Sequence, residues 1–147
     1  MERRVGFSLI ELLIVLALLA IVLSVGYATL RPLAVRSRVQ QGAADVTASL
    51  QRARSFAQRE NVGASWTRVD DDTYRLTLDT QTIDRDLPSG LKFSIPPAGT
   101  TITYTAPFGE IAATPVRIRI EGYGYKAEVR VIGVTGKVIR AGVEKMP

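Results

Sequence analysis

The sequence predicts an α+β protein: one long N-terminal helix, with a small antiparallel β-sheet head packed on the helix's C-terminal half. Three observations carry that expectation. Phe7 to Leu30 is an apolar block of 24 residues whose only charged side chain is Glu11. From Leu33 onward the apolar positions Val39, Ala43, Val46, Leu50, Ala53 and Ala57 recur at alternating steps of four and three, the spacing of one helical stripe. After Gly63 the apolar period falls to two, the spacing of half-buried strands.

Taken in order, residues 1–6 are short and basic, with Arg3 and Arg4. Residues 7–30 would form a helix of roughly 36 Å against about 30 Å of bilayer hydrocarbon, long enough to span it. Residues 31–62 continue as the amphipathic half, so a helix from about Phe7 to Glu60 approaches 80 Å. Pro32 and Gly42 are its weak points, and Asn61 with Gly63 supply the stop signal.

Residues 63–147 form the head. Trp66, Tyr74, Leu76 and Leu78 alternate with polar residues around Asp70-Asp71-Asp72, which reads as a hairpin turn. A calcium site is the rival reading, but adjacent acids point in different directions and no glutamate follows at an EF-hand interval. Strands are expected at 91–95 and 102–105, separated by Pro96-Pro97-Ala98-Gly99. The clearest pair is 116–121 with 126–132 around a four-residue loop, Gly122-Tyr123-Gly124-Tyr125. That register sets Ile120 against Ala127, Ile118 against Val129 and Val116 against Val131 on the buried face. The other face pairs Glu121 with Lys126, Arg119 with Glu128 and Arg117 with Arg130, two of them complementary. A last short strand is expected at 137–140.

The chain has 147 residues with 19 Lys and Arg against 14 Asp and Glu, and it has no His and no Cys. Thiolate and imidazole chemistry are therefore excluded, and no phosphate-binding glycine loop is present, which argues against an enzyme and implies no cofactor. The positive charge is unevenly placed. Arg31, Arg36, Arg38, Arg52, Arg54 and Arg59 face only Asp45 and Glu60 over 31–60, a solvated arginine face or a footprint for anionic headgroups or nucleic acid.

A carboxylate inside an apolar segment costs about 2.5–3.5 kcal/mol on insertion scales, so Glu11 needs a partner or a protein interior. The order of basic start, Gly6-Phe7, Glu11 and a long Leu/Ile/Val/Ala run closely resembles the type IV prepilin signal. The resemblance implies that residues 1–6 are a leader peptide, that prepilin peptidase cuts after Gly6, and that the new N-terminal Phe7 is methylated. It also implies that Glu11 sets the register of the subunit in a filament by pairing with the Phe7 amine. Cleavage requires a cytoplasmic Gly6, which outweighs the three arginines on the far flank of the apolar block. The family's usual helix proline falls on Ala28 here.

Head features also resemble the GspH/FimT family of minor pseudopilins: Leu87-Pro88-Ser89-Gly90 before a strand, Phe108-Gly109 before the Val116 strand, and Gly136-Lys137-Val138 near the end. The resemblance implies the pilin fold. It also implies a bacterial inner-membrane subunit, single-pass, with its head in the periplasm and its partners prepilin peptidase, membrane lipid and other pilins or pseudopilins. Two functions follow as expectations, a structural subunit of a type II secretion pseudopilus or type IV pilus, and a DNA-binding minor pilin for natural transformation. The second would rest on Lys137 and Arg140. Their spacing points them to opposite faces of a strand, unlike residues two apart.

Overall fold

A computed structural model describes residues 9–112 and 115–147. The chain divides into two compact units, Met1–Val35 and Arg36–Pro147. One helix, α1 (Leu9–Glu60), contributes to both, with Pro32 inside it.

In the first unit the side chains of Leu12 to Leu16, Leu18, Leu19 and Ile21 to Leu23 are all exposed. Among the described residues no helix is long and apolar enough to cross a membrane. The apolar block read from the sequence starts earlier, at Phe7, outside the described residues.

The second unit is built on the helical stripe. Val39, Ala43, Val46, Leu50, Ala53 and Ala57 are all fully buried, the six positions that the four-and-three spacing singles out. The helix stops where Asn61 turns left-handed (φ 56°), as an Asn past a helix end often does. Gly42 is less a weak point than a contact: a Cβ there would lie 2.9 Å from Leu91 Cδ1.

Two antiparallel sheets cover the stripe. The strands are β1 (Ala64–Arg68), β2 (Thr73–Leu78), β3 (Gln81–Asp86), β4 (Lys92–Ile95), β5 (Thr101–Thr105), β6 (Glu110–Ile111), β7 (Val116–Gly122), β8 (Tyr125–Ile132), β9 (Lys137–Arg140) and β10 (Glu144–Lys145). The first sheet runs β3-β2-β1-β5-β6; the second runs β10-β8-β7-β4, with β9 also on β8. Trp66 at the centre of the first sheet is fully buried, 5.7 Å from the Tyr74 ring and 5.9 Å from Phe93.

The β7–β8 register matches the expected one pair for pair, from Val116↔Val131 to Glu121↔Lys126. The loop is tighter than expected. Gly122 pairs with Tyr125, leaving two central residues, Tyr123 (φ 54°) and Gly124 (φ 79°). Positive φ at both positions is the geometry whose twist matches a hairpin. Strands β3, β6 and β10 were not anticipated from the sequence.

Candidate functional site

Glu11 lies in the first described turn of α1, exposed among the exposed Leu9, Ile10, Leu12 and Leu13. A carboxylate there is costly to bury in lipid without a partner. Gly6 and Phe7, the expected cleavage and methylation residues, lie outside the described residues.

Lys137 and Arg140 sit on β9, which pairs with β8 in the register Ile132↔Lys137, Arg130↔Ile139, Val131↔Val138 and Val129↔Arg140. Directly paired residues share a face. Arg140 therefore stands on the side that the buried Val129 turns to the core, and Lys137 on the outer side with Ile132. The strand does not bring the two cations together.

The outer face of β7 and β8 is an ionic ladder. Arg119 Nη2 donates to Glu128 Oε1 at 2.9 Å, and Arg130 Nη2 donates to Glu128 Oε2 at 3.0 Å. Hydrogen bonds from Arg119 first, then Arg130, hold the Glu128 carboxyl below the usual range. Ser94 Oγ donates to Glu121 at 2.8 Å, and Lys126 lies 3.4 Å from Glu144. Most cations on this face are thus matched locally, which leaves a weak grip for a phosphate track.

The acidic triplet makes a turn. Asp70 Oδ1 accepts the Thr73 N–H at 2.9 Å and the Asp72 N–H at 3.1 Å, and these bonds lower its pKa. Asp71 accepts from Arg68 at 2.9 Å. Sequence reasoning gave Arg68 no role, yet it is 5% exposed. It donates to the Asp70 and Pro96 carbonyls, and its guanidinium lies 5.7 Å from the Phe93 ring centroid. Asp70 and Asp71 are neighbours in the turn, but the Pro96 carbonyl and the Phe93 ring are distant in sequence, and no local pattern signals them. Burial pushes the Tyr104 phenol up to about 12, so it stays neutral in the core.

A hollow of about 610 Å³ in the second unit lies between α1 (Asp45, Ser49, Arg52) and the sheet edge (Tyr74, Asp84, Arg85). Its lining mixes both charges and holds no nucleophile–base pair.

The N-terminal segment matches the prokaryotic N-terminal methylation motif over residues 4–27. That motif heads a long helix that leads into an antiparallel β head of the pilin fold. The fold is similar to that of the type IV minor pilin FimU from Pseudomonas aeruginosa. The likeness to one crystal form has 18% identity and a TM-score of 0.60, covering 72% of this chain and 90% of that one. For a second crystal form the identity is 18% and the TM-score 0.58, covering 69% and 91%. No curated protein sequence matches the chain.

Proposed function

We propose that the chain is a minor pilin or pseudopilin of the GspH/FimT type, a structural subunit of a type IV pilus or a type II secretion pseudopilus. The observation that carries this reading is the methylation motif over 4–27 in the same chain as a pilin-type head. On this reading prepilin peptidase removes residues 1–6 and Phe7 becomes the methylated N-terminus. Residues 7–30 hold the subunit in the inner membrane with its head in the periplasm. The exposed apolar side chains of the first unit support that role, because a helix apolar all round needs lipid or other helices to cover it.

Glu11 then has a defined task. In a core of packed apolar helices its charge is tolerated only against a cation, and the Phe7 amine of a neighbouring subunit supplies one, fixing the axial register. Glu11→Ala should leave cleavage intact and strongly reduce incorporation. Filaments sheared from cells and probed for this subunit test it; wild-type amounts of the variant would refute the role.

The DNA-uptake reading has less to support it, because Lys137 and Arg140 occupy opposite faces of β9. A gel shift with the Lys137→Gln/Arg140→Gln variant tests it, and a salt-sensitive loss of binding would revive it.

A further inference from the structure

The second unit carries a small groove. Its volume is about 130 Å³, and it runs between the start of the helical stripe and the strand edge. Arg36, Gln40 and Ala43 form one wall, and Arg140 to Val143 form the other. Arg36 and Arg140 are both exposed, 104 positions apart in sequence, and they line one concavity.

The nearby acids are already engaged. Glu128 is taken by Arg119 and Arg130, and Glu144 by Lys126. Among the described residues neither Arg36 nor Arg140 forms an ion pair. Two unmatched guanidiniums on one groove, with the Gln40 amide beside them, suit a tetrahedral oxyanion, since each planar fork can donate two parallel N–H bonds to phosphate oxygens.

Position selects the source of that phosphate. Arg36 follows Leu30, the end of the apolar block, by six residues, so even a fully extended chain would keep it within about 20 Å of that end. Arg31 and Arg38 flank it and add to the attraction of an anionic surface. DNA would need a track of several phosphate contacts, and the ladder of β7 and β8 beside the groove is largely neutralised.

We propose that the Arg36–Arg140 groove binds the phosphate of an anionic phospholipid headgroup, holding the C-terminal strand edge at the membrane surface before the subunit enters a filament. This rests on the membrane-anchored reading above.

The test is native mass spectrometry of the full chain in neutral detergent, titrated separately with dioleoyl phosphatidylglycerol, dioleoyl phosphatidylcholine, inorganic phosphate and a random DNA duplex. Phosphatidylglycerol should be retained and phosphatidylcholine should not. Arg36→Gln/Arg140→Gln should weaken retention by roughly 30-fold, as expected for two cations near an anionic surface. Arg52→Gln/Arg117→Gln, which removes the same charge elsewhere, should keep wild-type affinity. Unchanged affinity in the groove variant would overturn the inference, as would equal retention of phosphatidylcholine. So would displacement of the lipid by inorganic phosphate or DNA at comparable concentration, each naming a different ligand. Cell fractionation separates the two readings: a wild-type chain absent from the membrane fraction defeats the anchor, whereas a membrane-bound chain indifferent to the groove variant defeats only the groove.

Discussion

Replacing Arg68 by Met removes the head's best-buried charge while keeping its apolar stem. Arg68 clips the β1–β2 hairpin to the loop after β4, through the Asp70 and Pro96 carbonyls, the Asp71 carboxylate and the Phe93 ring. The contributions are unequal. Asp71 is 72% exposed, so water replaces its partner and the pair contributes about 0–1 kcal/mol. The buried bond to Pro96 is different: its carbonyl would be left without a donor at about 1–3 kcal/mol. Loss of the desolvated cation–π contact adds up to about 2 kcal/mol. Relief of the cost of burying a charge offsets part of this. The net expectation is a loss of about 2–4 kcal/mol, or a urea midpoint roughly 1–2 M lower at ordinary slopes. Trp66, fully buried against the same cluster, reports it directly by fluorescence in the detergent-solubilised chain. Arg75→Met serves as the comparison, because Arg75 makes a bidentate but exposed pair with Asp84. If the two variants unfold at the same midpoint, burial is not what makes Arg68 matter.

Other perturbations have equally specific expectations. Gly136 has φ 59°, and a Cβ there would lie 2.6 Å from the Gly109 carbonyl oxygen, so Gly136→Val should destabilise the head by about 2–5 kcal/mol in the same urea assay. The Glu128 carboxyl is held below its usual value of 4.5, so its ion pairs contribute fully above that pH and the contribution fades as pH falls through the lower folded value. Thermal melts from pH 7 to 3 should therefore show a stability loss below about 4.5 that is smaller in Glu128→Gln. Arg119→Gln, which removes the larger of the two causes, should make that loss smaller and complete it at a higher pH in the same melts.

Legibility of the fold tracked the source of each element's stability. The helical stripe and the β7–β8 hairpin are written in side-chain periodicity, and their buried faces, Val39 to Ala57 and Ile118, Ile120, Val129 and Val131, follow from it. Strand β3, Gln81–Asp86, has one half-buried side chain, Ile83, and owes its place to backbone pairing with β2 and the exposed Arg75–Asp84 pair. Such an edge strand carries almost no alternation to read. The two-residue β6 has less still. At the candidate sites, the opposed directions of Lys137 and Arg140 follow from strand geometry alone. Arg68 and the Arg36–Arg140 groove depend on long-range closure that no local spacing encodes.

The mass of the N-terminal peptide of the chain isolated from cells tests the central claim most directly. The account predicts a first residue of Phe7, heavier by one methyl group, with residues 8–30 still attached. A chain that retains residues 1–6, or one that begins beyond Leu30, would contradict it.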